Sequence, residues 1–253
     1  MAMTDGNAVQ VDKSLIGEGI IYLRKYGSQE GMIDIGNCDE FNLGFASEKR
    51  ELKNYRGGGG NRNVIEKVSG VTASLGLYDL TPENIARALK GVVQQIDTQA
   101  ITDEALKCSG IINEFVPFAN IPDPEKPVTV KLADDSELEA GTDYRVSAHG
   151  LVVLSDKVTA AGVKVSYTPK AGSAVQMLAG SGQEWEIYIA GLNDAQSGEP
   201  YAVRVHRCKF SLSSDFAVLS QDYTKLNPTL EILTDDTVTG TGISKFVRMD
   251  LVR

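Results

Sequence analysis

Apolar and polar residues alternate most regularly between Val64 and Leu80. There Val71, Ala73, Leu75 and Leu77 share one parity and Thr72, Ser74, Gly76 and Tyr78 the other. A period of two predicts a half-buried strand. At about 3.3 Å per residue it would run roughly 50 Å, a wall element and not a small-domain strand. Gly70 marks a bend in it. Thr81 then predicts a helix cap, with Pro82 at the first helical position and Glu83 in the first turn. Ile85, Ala86 and Leu89 form the apolar face of that helix, and Gly91 is its expected stop.

Upstream, Met1–Gln10 is a polar arm. Gly19–Tyr26 reads as a strand, and Ile33–Leu43 as a second one with a bulge or bend at Gly36-Asn37. A charged loop, Ser47–Arg56, follows and closes with Gly57–Gly60, four glycines with large conformational freedom in the free chain. Downstream, β-branched residues tilt the ambiguous Val92–Cys108 toward strand, and Gly110–Ala119 is a further apolar segment. Past the stiff Ile121–Pro127 turn come short alternating strands at Val128–Leu132, Thr142–Ser147, Gly150–Leu154, Val163–Tyr167 and Ala174–Leu178. More are expected at Glu184–Ala190, Tyr201–Leu212, Asn227–Leu233 and Lys245–Val252, with Phe216–Gln221 a turn of helix or a strand corner. The pattern predicts a mainly β protein, a sandwich or barrel with one short flanking α-helix. No linker-like composition divides it, so a single domain spanning 1–253 is expected, with an inserted β-hairpin region at 127–173.

Composition narrows the function more than the fold. With 42% hydrophobic residues in 253, a sizeable core can form. The net charge of −9, from 25 basic and 34 acidic residues, argues against a nucleic-acid-binding surface. Cys38, Cys108 and Cys208 are odd in number and far apart, which leaves no disulfide framework or metal-ligand spacing and suggests reduced thiols. Neither a signal-peptide core nor an apolar run long enough for a membrane span is present.

Candidate chemistry is sparse. His149 precedes a glycine in a turn and His206 lies in a strand, and neither has a nucleophile motif nearby. Gly57–Gly60 lacks the lysine and following helix that a phosphate loop needs. The Asp134–Glu139 and Thr234–Thr237 clusters lack calcium-loop spacing and read as solvated turns. Trp185 with Tyr188 could form a sugar platform, although a lone strand Trp more often fills a core or an interface. The expectation is a protein without catalytic, cofactor or metal residues.

One ordered set of segments points further. It comprises Gly19–Tyr22, Ile35–Leu43, Glu48–Tyr55 running into Gly57–Gly60, Val71–Leu77, Thr81–Leu89 and Gly242–Leu251. Together they resemble the major tail tube proteins of long, non-contractile-tailed bacteriophages, most strongly over Gly19–Gly91. The resemblance implies a virion protein, assembled in the host cytoplasm, whose subunits form hexameric rings. Their sheets would join into an inner β-barrel, and the rings would stack into a tube that DNA traverses without specific binding. Implied partners are other copies of the chain and the tape measure, tail terminator and tail-tip proteins, with no membrane. The inter-ring contact would fall on Glu48, Lys49, Arg50, Glu51, Lys53, Tyr55, Arg56, Gly57, Gly58, Gly59 and Gly60. Two rival readings stand beside it: a tube protein of a contractile tail or secretion system, and a surface- or carbohydrate-binding β-sandwich.

Overall fold

The computed structural model describes residues 13–252; the polar arm Met1–Gln10 lies outside them. The chain is mainly β, and the described residues form antiparallel sheets and one α-helix, none of these sheets closing into a barrel. It forms two compact units. One holds the residues up to Val92 and from Val175 onward, the other Val93–Ala174.

The first unit opens with β1 (Gly17–Lys25), β2 (Ile33–Asp34), β3 (Cys38–Lys53), β4 (Asn61–Leu77) and α1 (Pro82–Ala88). The expected Ile33–Leu43 strand is broken between β2 and β3 for a steric reason. Gly36 sits at φ 96°, where a side chain would be strained and would also collide with Asp79. Asp34 Oδ1 accepts the Gly36 amide and Asp79 Oδ2 the Asn37 amide, which fixes the bend. The helix starts where the sequence predicts, with Thr81 Oγ1 accepting the Asn84 amide at 3.2 Å. Its buried residues include a polar one, Asn84, whose Nδ2 donates to the carbonyls of Ile35 and Asp79, both at 2.8 Å. Those bonds pin the helix to the bend.

The chain passes through β5 (Val92–Gln95) into the second unit, which contains β6 (Ile101–Leu106), β7 (Phe115–Pro117), β8 (Thr129–Leu132), β9 (Tyr144–Ser147), β10 (Gly150–Val153) and β11 (Val163–Tyr167). It returns through β12 (Ser173–Gln176), which pairs with β5. The first unit is completed by β13 (Glu184–Asn193), a 3-10 turn at Asp194–Gln196, β14 (Glu199–Phe210), β15 (Thr229–Ile232) and β16 (Val247–Leu251). Phe216–Gln221 is neither helix nor strand.

An eight-stranded sheet in the order β2-β1-β13-β14-β15-β4-β3 carries the first unit. β14 has two neighbours along one edge: β16 on Tyr201–Val205 and β15 on Cys208–Phe210. One sheet face is apolar, with Leu23, Ile187, Val205, Leu75 and Leu230 in a single buried cluster with Ala88 and Leu89 of the helix region. Ile21 and Val203 line the same cleft as Phe41 and Leu43 of β3, so the sheet curls over its apolar face without closing.

The second unit is a small sandwich of β7-β10-β9 against β6-β11-β8 around its own core, which includes Leu151, Val153, Val165 and Tyr167. Where the sequence suggests a single domain with an inserted β-hairpin region at 127–173, the chain forms two compact units, the second spanning Val93–Ala174. β6 and β7 are paired members of its sheets and cannot be separated from them. The buried Asp143 secures one end of this core. Its carboxylate accepts from the Glu139 amide at 3.0 Å, Ser155 Oγ at 2.9 Å and Lys157 Nζ at 2.9 Å. The Glu139 amide, then Lys157, hold the acid below the usual aspartate range. A carboxylate with a lowered native pKa stabilises the fold above its unfolded pKa of about 4, and the gain is lost as pH falls through the native value. Asp143→Asn is thus expected to lower the urea midpoint of the second unit at pH 7 and to flatten its acid limb. Parallel profiles for the two proteins between pH 7 and pH 3 would contradict this.

Candidate functional site

β3 and β4 stay paired far beyond the sheet. Up to Ala46↔Gly70 they belong to the walls of the first unit, with β15 on the far side of β4 at Val71–Ser74. From Ser47↔Val68 to Lys53↔Asn61 they pair only with each other and form a projecting ribbon. Roughly 3.3 Å per residue makes this ribbon about 20 Å long. A register shift between Ala46 and Ser47 marks its base. The predicted charged loop is therefore half strand: Glu48, Lys49, Arg50, Glu51 and Lys53 lie in β3, while Tyr55, Arg56 and Gly57–Gly60 form the tip.

Cross-strand chemistry explains why so polar a segment holds strand geometry. Glu48 faces Lys67 and Lys49 faces Glu66, opposite charges directly across the ladder. On the face carrying Ser47, Lys49, Glu51 and Lys53 the charges are satisfied internally. Glu51 pairs with Lys53 at 2.8 Å and Lys49 at 3.0 Å, and Ser47 Oγ donates to Glu66. The two lysines draw the Glu51 acid down to about 2. The opposite face carries Arg50, Leu52 and Ile65, with Arg50 directly across from Ile65. Among the described residues Arg50, Arg56 and Arg62 have no ion-pair partner.

The tip is built around Asn54. Its amide donates to the Gly60 carbonyl at 3.0 Å, its Nδ2 to the Gly57 carbonyl at 2.8 Å, and its Oδ1 accepts the Arg56 amide at 3.0 Å. Gly57, Gly58, Gly59 and Gly60 all adopt positive φ, from 70° to 91°, a run that only glycine enters without strain. Apolar side chains stand bare on the arm, with Tyr55 86% and Val68 60% exposed. Between Ser47 and Val68 there are six basic residues against three acidic, a net of +3, in a chain whose total is −9.

The other candidates resolve as structure. Trp185 is buried, with the Arg87 guanidinium 4.9 Å from its ring centroid, so it offers no platform for a sugar. Asp134 caps its own turn through the Ser136 amide, and Asp135 pairs with Lys164. Asp235 accepts from Tyr26 and Thr237. His149 is an exposed turn residue, and His206 lines a small depression with Arg24, Glu186 and Arg204. The described residues contain no cluster of three metal-ligating side chains.

One feature of the fold has no signature along the sequence. An open cleft of about 850 Å³ lies between the start of β3 and the strands β1, β13, β14 and β16. Its lining residues include the apolar Ile16, Phe41 and Met249 and the acidic Glu18, Asp39 and Glu40, with no basic residue among them. These positions come from distant parts of the chain, and only the curling of the sheet brings them together.

A family model matches residues 14–250, a span that contains the arm and both units. The chain belongs to the family "Protein of unknown function UCP028589". A comparison with curated proteins found no match. Membership places the arm, the cleft and the inserted sandwich inside the extent of the family and assigns no activity to any of them.

Proposed function

We propose that this protein is a self-assembling structural subunit of a phage tail tube, forming stacked rings through which DNA passes. The projecting arm is the observation that carries this reading. A two-stranded ribbon is marginal in water unless something packs on it. This one nonetheless presents bare Leu52, Tyr55, Ile65 and Val68 to solvent. Apolar side chains grouped on an extension mark a protein contact surface. The ordered segments that resemble major tail tube proteins run through the same arm, and in them it would join one ring to the next. The acidic balance of the chain supports a lumen that DNA slides through without adhering.

Purified protein, concentrated stepwise and viewed by negative-stain microscopy alongside sedimentation velocity, is expected to give rings or tubes. A monomer persisting at every concentration and ionic strength would refute the assignment.

A further inference from the structure

The arm and the cleft stand at opposite ends of the same strand. Cys38–Leu43 of β3 line the cleft, while Lys53 leads into the tip. From Leu43 to Lys53 a strand rises roughly 33 Å at about 3.3 Å per residue. The two strands stay paired over that distance, through register shifts at Ala46/Ser47 and Leu52/Lys53, so the arm leads away from its own cleft. Any cleft it fills belongs to another molecule.

We infer that the arm of one copy seats in the cleft of a second copy, with the Arg50–Leu52–Ile65 face and the tip guanidiniums meeting the Glu18–Asp39–Glu40 side of the cleft. This rests on the self-assembly reading and names the receiving surface on the partner copy. Charge complementarity selects the occupant. The arm is the basic element of the chain, at +3, which leaves −12 for the rest against a total of −9. Among the described residues Arg50, Arg56 and Arg62 have no ion pair, and guanidinium matches carboxylate geometry with two parallel hydrogen bonds.

On the cleft side, Glu18 has no ion pair among the described residues. Asp39 and Glu40 share one cation, Lys225, at 2.8 and 3.1 Å. The negative field is felt locally: the Cys38 thiol is pushed up to about 11, first by burial and then by Asp34, Asp39 and Asp79. Apolar chemistry matches as well. Ile16 and Met249 are half exposed in the cleft, as Leu52 and Ile65 are on the arm. The face of the arm holding Glu51 is already neutralised by Lys49 and Lys53, which leaves the Arg50 face to make the contact. Because the two surfaces differ, the contact is head-to-tail, the kind that links copy to copy in a ring or an open filament.

Two charge reversals test it, both at exposed side chains. Glu18→Lys with Met249→Lys makes a cleft variant; Arg50→Glu with Arg56→Glu makes an arm variant. Each alone is expected to need at least about tenfold more protein to assemble than the unchanged chain. Mixed, they should assemble again as an alternating chain of the two variants, because the basic arm of one meets the acidic cleft of the other and the acidic arm meets the basic cleft. A chain carrying all four changes should assemble again, since both signs are exchanged. A cleft variant that assembles as readily as the unchanged chain would overturn the contact and leave the tube reading standing. Head-to-tail oligomers that never become rings or tubes would do the reverse. A second readout does not depend on charge or on the folding of the cleft variant: copies with Ile65→Cys and copies with Ile16→Cys, mixed and oxidised, should form an intermolecular disulfide. Failure of that pair to cross-link while tubes form would also overturn the contact.

Discussion

Replacing Ser47–Ser69 with an Asn-Gly turn is expected to give a folded protein that no longer polymerises. Ala46 and Gly70 face each other across the β3–β4 ladder, so a two-residue turn of this type can join them directly. No residue between Leu43 and Val71 belongs to the buried cluster of the first unit, and its core loses nothing when the arm is removed. The thermal midpoint should shift by no more than a few degrees, since surface changes away from a core are close to neutral. Assembly, in contrast, should disappear at every concentration reached in sedimentation velocity. A shorter excision, Glu48–Gly60, is a poorer test. It would strip the partners from Asn61–Lys67 and leave nearly half of β4 as a bare edge. Collapse of the Asn-Gly protein would show that the arm is part of the fold, whereas tubes built without it would show that the contact lies elsewhere.

Leu151→Ala is the second change with a large expected effect. Leu151 is fully buried between the two sheets of the inserted unit. Removing a buried leucine side chain from such a site costs about 2–5 kcal/mol. The two units have separate buried clusters, so the loss should fall on the second alone. Calorimetry of the variant is expected to show a new early transition for the inserted unit, with the transition of the first unit unmoved. One concerted peak shifting as a whole would mean that the units unfold together and that their cores are thermodynamically joined.

What the sequence shows of this fold follows the water boundary. Where one strand face is buried, as at Val71, Ala73, Leu75 and Leu77, the period of two is plain, and the strand lies where it is expected. The helix is equally legible, because Thr81 and Pro82 act through local backbone chemistry. The arm is not. Both of its faces meet solvent, so Glu48, Lys49, Arg50 and Glu51 carry no apolar period and read as a loop. Their strand character comes from Lys67 and Glu66 across the ladder, a pairing invisible along one strand. The inserted unit was legible from Thr129 onward, where β8 to β11 alternate between tight turns. Its beginning was not, because β6 and β7 are short and their partners β11 and β10 lie 33 or more residues away in sequence. The cleft needs Ile16, Glu40 and Met249 in one place, which no local pattern encodes.

The route from the arm into the body of the protein has a mechanical meaning. β4 runs unbroken from Asn61 at the tip to Leu77 in the core, and its hydrogen-bonded link to β14 is β15. β15 holds β4 through four residue pairs and β14 through three. Antiparallel hydrogen bonds lie across the strand direction, so tension applied along the arm loads all the bonds of a ladder in shear at once. A filament linked through these arms would resist stretching up to a threshold and then yield abruptly. The narrow ladder of β15 is where it would part.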